Sequence, residues 1–374
     1  MIPFNKPFLV GKETQYIEES VFSGKISGNG IFTKKCQAFF ENEYHFKKTL
    51  LTTSCTDALE MAAILLNIEP GDEVIVPSYT FVSSALAFIR QGAKIVFADS
   101  RDDHPGIDES KIEQLVTPRT KAIVVVHYAG VACDMDLVMD VATKHGIFVV
   151  EDAAQAIDSF YKGKPLGGIG HLSAFSFHET KNIISGEGGL LAINDEKFVG
   201  RSEIIWEKGT NRSAFFKGEV DKYGWVDTGS SFLPSELIAA FLYAQLEHLS
   251  EIQTRRKNIW SRYYEELKPL ELEGKLALPR IPDYATNNAH MFYVLTDNVE
   301  QRDKLLSFLK NKGVHAVFHY ISLHKSDFYL RNNKRQQLKN SERYSDCLIR
   351  LPFFFELEQD DLGYIIEHVK NFFD

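Results

Sequence analysis

The stretch from residue 122 to residue 151 contains AIVVVH (122–127), DLVMDVATKH (136–145) and FVVE (148–151). The first and last runs are apolar and rich in β-branched residues, as strands of a parallel sheet are when helices cover both of its faces. The middle run has the spacing of an amphipathic helix. This order of strand, helix and strand predicts a parallel βαβ unit and an α/β fold.

The same alternation continues from about residue 50 to residue 194, whereas elements are fewer and shorter beyond residue 195. A helical pattern rich in Ala, Leu and Glu runs from residue 234 towards residue 267. We expect a large α/β domain with a mainly parallel sheet over residues 1–250, and a smaller α+β domain over residues 251–374. The predicted strands of the large domain are residues 49–53, 73–77, 94–98, 122–127, 148–151, 173–177 and 189–193. In the small domain we predict extended segments at 291–296 and 316–319, and helices at 302–312 and after 359.

Composition and charge exclude several classes of function. The net charge of −9 opposes a surface for nucleic acid. No apolar run is long enough to span a bilayer, and the first residues lack the regions of a secretory signal, so we expect no membrane partner. The four cysteines lie far apart, and we expect free thiols in the cytoplasm. In HETKN (178–182), Asn182 replaces the second histidine of a zinc-protease motif, and no metal site is expected.

Small polar and aromatic residues follow two of the predicted strands. Ligands of open α/β sheets bind beyond the carboxyl ends of the strands. Ser54-Cys55-Thr56 follows the first strand and opens a helix, where free amides and the helix dipole suit a phosphate. Ser and Thr are also ordinary helix caps. Phe81 follows the next strand and is placed to stack on a flat ring, although a core position is the commoner role of an aromatic.

Two ionisable residues follow later strands. Asp152 ends one strand, and an acid there is costly unless a cation meets it. A protonated pyridine nitrogen is one such cation, and a structural salt bridge is the alternative. Lys181 follows the strand at 173–177, and a lysine amine forms a Schiff base with an aldehyde and is tuned by burial. A phosphate turn, an aromatic, an acid and a lysine at strand ends together indicate a pyridoxal-phosphate enzyme.

Five motifs in this order resemble the DegT/DnrJ/EryC1/StrS aminotransferases, which have the aspartate aminotransferase fold (PLP fold type I). They are Ser-Cys-Thr (54–56), Tyr-Thr-Phe (79–81), Glu-Asp-Ala-Ala-Gln (151–155), Ser-Phe-His-x-x-Lys (176–181) and Gly-Glu-Gly-Gly (186–189). The resemblance covers essentially the whole chain. Within the family, the chain looks closest to the dTDP-4-amino-4,6-dideoxygalactose transaminases, through the stretches 1–5, 179–182, 207–212 and 290–293.

The resemblance implies a set of cofactor contacts. Lys181 would bind pyridoxal 5'-phosphate covalently and move the proton at the reacting carbon, and Asp152 would pair with the pyridine nitrogen. The further implied contacts are Gln155 near the ring hydroxyl, Phe81 stacked on the ring, and Ser176 with the amides of Cys55 and Thr56 at the phosphate.

The resemblance also implies a homodimer with shared active sites, in which residues 186–189 approach the partner's cofactor. Many family members carry Gly-x-Asn before the long helix, and that asparagine reaches the neighbouring subunit's phosphate, whereas this chain has Ser231 at the asparagine position. The shorter hydroxyl can still donate a hydrogen bond there. The turn at residues 23–30, with Lys25, Ser27 and Gly28, is a candidate lid over the sugar or a plain connecting loop. His319 and Tyr320 are candidate sugar contacts or ordinary packed residues.

The reaction implied by the resemblance transfers the amino group of L-glutamate to a dTDP-4-keto-6-deoxyhexose. The product, a dTDP-4-amino-4,6-dideoxyhexose, belongs to deoxyaminosugar biosynthesis, as for lipopolysaccharide O-antigen. One alternative is a C3-aminotransferase acting on the 3-keto isomer. Another is a sugar dehydratase of the same fold, which would have histidine at the position of Lys181. The last is a non-catalytic binding or regulatory protein, which would be expected to have lost the acid or the lysine.

Overall fold

A computed structural model describes all 374 residues, and its largest element is a seven-stranded sheet. The sheet has the order β1-β9-β8-β5-β4-β2-β3, parallel from β8 to β3 and antiparallel at β1–β9 and β9–β8. Its strands are β1 (Lys48–Thr52), β2 (Glu73–Pro77), β3 (Lys94–Ala98), β4 (Thr120–Val126), β5 (Phe148–Asp152), β8 (Leu172–Ser176) and β9 (Gly189–Ile193). A small hairpin pairs β6 (Phe160–Tyr161) with β7 (Lys164–Pro165), and a separate two-stranded antiparallel sheet pairs β10 (Tyr293–Leu295) with β11 (Leu348–Arg350). The predicted α/β fold with a mainly parallel sheet is confirmed.

Fourteen α-helices surround these strands, and none of them is both long and apolar enough to cross a membrane. They are α1 (Glu13–Phe22), α2 (Ile31–Glu43), α3 (Cys55–Leu65), α4 (Ser83–Ile89), α5 (Ile112–Leu115), α6 (Met135–His145), α7 (Val199–Trp206), α8 (Arg212–Phe216), α9 (Glu236–Leu246), α10 (Leu249–Leu272), α11 (Val299–Asn311), α12 (Asp327–Leu330), α13 (Lys339–Cys347) and α14 (Gln359–Phe373).

Burial on both faces of the sheet explains why the strands are apolar throughout. Alternate side chains of a strand point to opposite faces. On β4, Ile123 and Val125 belong to one hydrophobic cluster, whereas Ala122 and Val124 belong to a second cluster on the other face. Helices therefore cover the sheet on both sides, as the sequence pattern predicts.

The helical pattern from residue 234 to residue 267 forms two helices and not one. α9 ends at Leu246 and α10 begins at Leu249, without a proline or a glycine between them. α9 packs against α1 and α2, whereas α10 packs against α14. The two helices therefore bury their apolar faces against different partners, and the helical pattern is interrupted at the junction between them.

The turn at residues 23–30 is fixed by close packing. A side chain at Gly28 would collide with the carbonyl oxygen of Pro234, and one at Gly30 would collide with Glu236. The buried Glu236 carboxylate accepts hydrogen bonds of 2.8 Å from the amides of Gly30 and Phe32, at the start of α2. These two glycines permit close approach of the backbone to the start of α9.

Candidate functional site

A cavity of about 560 Å³ opens at the carboxyl ends of β4, β5 and β8. This is the edge at which an open α/β sheet binds ligands. The predicted site residues that line it are Cys55, Thr56, Phe81, Asp152, Gln155, Ser176, Lys181, His319 and Tyr320. Four predicted residues lie outside this cavity of the single chain: Lys25, Ser27, Gly28 and Ser231.

Asp152 and Glu151 are adjacent acids that point in opposite directions, because successive side chains of β5 alternate between faces. Asp152 faces the cavity and is only 5% exposed. Its carboxylate accepts a hydrogen bond of 2.6 Å from Oγ of Ser84 and one of 3.1 Å from the amide of Ala154. Burial raises the pKa of Asp152, and these two hydrogen bonds only partly oppose that shift. The carboxylate therefore lacks a close cation within the chain.

Glu151, in contrast, is saturated by protein groups. Its carboxylate lies 2.9 Å from Nε2 of His127 and accepts hydrogen bonds from the amides of Gly167, Ile169 and Gly170. Burial opposes its ionisation most strongly, but the hydrogen bond and charge of His127 and the amide donors outweigh burial and lower the pKa of Glu151. This acid holds the segment between β7 and β8 and has no access to the cavity.

Lys181 lines the cavity and follows a turn in which its backbone amide donates to the carbonyl of His178. Its Nζ makes no hydrogen bond or ion pair within the chain. Burial lowers the pKa of Lys181, and Arg350 lowers it further, whereas Cys55 and Asp152 act in the opposite direction. A lysine of this kind carries a larger share of neutral, nucleophilic amine than a surface lysine.

The orientation of the Gln155 amide is set by the backbone. Oε1 of Gln155 accepts a hydrogen bond of 2.6 Å from the amide of Ala129. Because the oxygen is engaged, the NH₂ group is the end that is available to the cavity, and it is a donor. The cavity therefore presents a carboxylate at Asp152 and an amide donor at Gln155 on one wall.

The polar turn before α3 forms another end of the cavity. Ser54 caps the helix, with its Oγ accepting from the amide of Asp57 at 3.1 Å, so the amides of Cys55 and Thr56 are left for a ligand. Oγ1 of Thr56 lies 2.7 Å from Oγ of Ser83. A side chain at Gly189 would collide with the backbone of Ser54 and Cys55. Gly189, the first residue of β9, thus allows the sheet to approach this helix start closely.

The two aromatics after β2 have different environments. Tyr79 is buried and packs against Tyr128 and Tyr344, with ring centroids 5.4 and 5.7 Å away. Phe81 is about half exposed and lines the cavity, with its ring centroid 5.9 Å from that of Tyr320. The two residues Phe81 and Tyr320 therefore border the cavity as an apolar pair.

Residues from the C-terminal part of the chain complete the cavity, and two of them were not predicted as site residues. Arg350 at the end of β11 is 7% exposed, its Nε has no hydrogen-bond partner, and its Nη1 lies 3.1 Å from Nδ1 of His319. His290 is also buried on the cavity wall. A charged residue inside the otherwise apolar run Leu348-Ile349-Arg350-Leu351 is the sequence signal that points to Arg350.

Comparison with known proteins gives a consistent result. A model of the DegT/DnrJ/EryC1/StrS aminotransferase family matches residues 8–370. The chain is 33% identical over 379 residues to the spore coat polysaccharide biosynthesis protein SpsC of Bacillus subtilis, covering 99% of this chain and 96% of that one. It resembles the solved structure of DesV from S. venezuelae, in complex with a ketimine intermediate, at 30% identity and a TM-score of 0.91, covering 100% and 98% of the two chains. A putative sugar aminotransferase of Streptococcus pneumoniae in its PMP form matches at 26% identity and a TM-score of 0.92, covering 100% and 99%.

Proposed function

The chain belongs to the DegT/DnrJ/EryC1/StrS aminotransferase family, and we propose that it uses pyridoxal phosphate to transfer the amino group of L-glutamate to a dTDP-4-keto-6-deoxyhexose. The product is a dTDP-4-amino-4,6-dideoxyhexose. The observation that carries the proposal is that the buried carboxylate of Asp152 and the unpaired amine of Lys181 share one cavity.

The residues of the cavity fit this cofactor. Asp152 is a buried acid whose raised pKa reflects burial without a close cation, which a pyridinium nitrogen would provide. The NH₂ group of Gln155 suits the ring hydroxyl, and Phe81 suits stacking on the ring. The amides of Cys55 and Thr56, with the hydroxyl of Ser176, suit the phosphate. When bound, the cofactor supplies an electron sink for the electrons released at the reacting carbon.

Lys181 has two tasks in this proposal. Its amine holds the cofactor between turnovers, and in each half-reaction it takes a proton from one carbon and returns it to another. Both tasks require the uncharged amine. Burial, which is the largest cause of the lowered pKa of Lys181, favours that form.

Arg350 provides the contact that we assign to the amino donor. A buried guanidinium without a carboxylate partner is costly in free energy unless a ligand anion meets it. Its planar group matches a carboxylate with two parallel hydrogen bonds. We assign this place to a carboxylate of L-glutamate, which would bring the amino group of the donor towards Lys181.

The assembly that we propose is a homodimer with shared active sites. Trp225 is 84% exposed and Phe22 is 80% exposed, in two segments that meet where Nδ2 of Asn29 lies 3.4 Å from Oε1 of Glu207. Large exposed apolar surfaces of this kind mark protein interfaces. Ser231 and the turn at residues 23–30 lie in or next to these segments. In the proposed dimer, the second copy packs against them, and they approach the cavity of that second copy.

The test is an absorbance spectrum of the cofactor-loaded protein, first alone and then with L-glutamate. We expect the visible band of the cofactor bound to Lys181 to disappear with L-glutamate and to return with a dTDP-4-keto-6-deoxyhexose. Return with only the 3-keto isomer would replace the proposed substrate by that isomer. A protein that stays colourless after cofactor has been supplied would contradict the assignment of Lys181.

A further inference from the structure

His290 lies on the cavity wall and is 3% exposed. Its Nδ1 is 2.8 Å from Oδ1 of Asn182, the residue that follows Lys181. Its Nε2 makes no hydrogen bond, and it is not among the fully buried polar atoms that lack a partner. Nε2 is therefore not fully buried, and we infer that it opens to the cavity that His290 lines.

A chain of hydrogen bonds starting at Asp158 decides which nitrogen of His290 carries the proton. A carboxylate only accepts hydrogen bonds. Nε2 of Gln253 therefore donates to Oδ2 of Asp158, at 3.1 Å, and this leaves Oε1 of Gln253 as an acceptor. Nδ2 of Asn182 donates to that oxygen at 2.8 Å and to the carbonyl of Asn288 at 2.9 Å.

The two donations of Asn182 fix its Oδ1 as an acceptor towards His290. The ring must then donate from Nδ1, and the lone pair of Nε2 is free. Three residues that do not touch the cofactor position thus set the tautomer of a ring that faces the same cavity as Lys181.

The charged groups around the ring keep it neutral. Burial lowers the pKa of His290 well below its usual value, and Lys181, Arg350 and Arg256 lower it further. Around Lys181 itself, the facing groups are Cys55, Arg350 and Asp152. His290 therefore offers Lys181 a neutral acceptor and adds no positive charge to the cavity.

We propose that His290 is a positioning residue that accepts a hydrogen bond from Nζ of Lys181 at its Nε2, and that Asp158, Gln253 and Asn182 hold the tautomer required. This deepens the proposed function and rests on it for the task of Lys181. A lysine side chain is flexible, and Nζ of Lys181 has no hydrogen-bond partner within the chain, so it is free to turn towards His290 on the same cavity wall. With one N–H engaged by His290, the lone pair of the amine is directed away from the ring and is available to take a proton.

The first test measures Lys181 in cofactor-free protein, by trace acetylation with acetic anhydride over a range of pH and mass spectrometry of the peptide. A neutral acceptor favours the charged form of its donor, so His290→Phe should lower the pKa of Lys181 and raise its labelling at neutral pH about fivefold. His145→Phe, at the end of α6, is the control and should leave the labelling unchanged. A shift in the opposite direction would show that His290 is a cation, and no shift would show that the contact does not form; either result overturns the proposal.

The second test reads the tautomer directly and does not require His290→Phe to fold. In the nitrogen NMR spectrum of histidine-labelled protein, we expect His290 to have a protonated Nδ1 and an unprotonated Nε2 at neutral pH. Asn182→Asp places a carboxylate against Nδ1, which raises the pKa of His290 and should protonate Nε2. A wild-type ring protonated at Nε2 would overturn the proposal.

The consequence for turnover separates positioning from a merely structural role. With His290→Phe we expect kcat to fall about tenfold, with the KM for the keto sugar changed less than twofold, because the ring orients the amine and does not bind the sugar. An equal loss through KM would contradict the assigned role. The labelling uses neither cofactor nor substrate, so its outcome is independent of whether the chain transfers amino groups.

Discussion

Nη1 of Arg350 lies 3.1 Å from Nδ1 of His319, and because a guanidinium has no acceptor, this imidazole nitrogen carries no proton. Burial, followed by the charge of Arg350, lowers the pKa of His319 to about 4. The ring is therefore neutral at physiological pH, and it occupies only one of the donors of Arg350. The remaining donors are available to an anion in the cavity.

Arg350→Met should reduce the apparent second-order rate constant for L-glutamate roughly 10- to 100-fold, the loss expected when a charge-assisted hydrogen bond is removed. The measurement is the decay of the visible cofactor band in stopped flow. Arg335→Met, on an exposed loop, serves as the control. If the keto-sugar half-reaction is the one that slows, Arg350 contacts the nucleotide diphosphate and the assignment to the donor is wrong.

Asp152→Asn should retain cofactor binding but lower the rate of amino transfer about 10²- to 10³-fold, because a neutral amide does not hold a positive charge on the ring nitrogen. Titration with pyridoxal phosphate measures binding, and single-turnover spectra measure the rate. A variant with a near-normal rate would show that the acid is structural.

Glu151→Gln should affect stability and not chemistry, with a loss of about 3–5 kcal/mol in the free energy of unfolding. The pKa of Glu151 is lowered in the folded state, so its ionisation stabilises the fold above the unfolded pKa of about 4.3, and this contribution disappears as pH falls through the folded value. Urea unfolding at several pH values checks this. The expectation would be contradicted if the difference in unfolding free energy between wild type and variant stayed constant down to acid pH.

Lys181→Met should abolish turnover and stabilise the cofactor-free protein. The folded pKa of Lys181 lies below the ordinary 10.5, so at neutral pH the wild type retains the cost of burying its charge. That cost diminishes as pH rises from the folded pKa to 10.5, and the advantage of the variant should diminish with it. Thermal melts at pH 7 and above pH 10 measure the difference, with Lys164→Met as the exposed control. Retained turnover would refute the assignment of Lys181.

Trp225→Glu should dissociate the proposed dimer and lower activity in parallel, since a charge would be buried in an apolar interface. Sedimentation velocity gives the assembly state, and the spectral assay gives the activity. Leu272→Glu, a similarly exposed apolar position at the end of α10, should change neither. A wild-type protein that sediments as an active monomer would rule out shared sites.

The sheet was predicted within one or two residues at most strand ends, because buried parallel strands have continuous apolar runs that polar turns interrupt. The antiparallel direction of β9 was not predicted, because period and composition do not encode strand direction. The break between α9 and α10 was not predicted either. It arises from packing against different helices, and no proline or glycine marks it in the sequence.

For the site, the residues that follow the strands of the sheet could be predicted, since one edge collects all carboxyl ends. Asp152 and Glu151 are both acids, so charge alone does not show which of the two side chains faces the cavity. The alternation of side chains along β5 shows this, but only once the end of the strand is known. Arg350 and His290 reach the cavity through tertiary folding from more than 100 residues beyond Lys181, a distance that local pattern does not bridge.

The guanidinium of Arg350 lies 5.0 Å from the ring centre of Phe4, so the cavity brings together segments that are far apart in the sequence. During synthesis on the ribosome, Lys181 is made long before His290 and Arg350, which line the same cavity. The wall that contains Arg350 forms only after residue 350 has left the exit tunnel. Loading of the cofactor into a complete site therefore requires the segment around residue 350, and a chain truncated before it would carry the reactive amine in an open cleft.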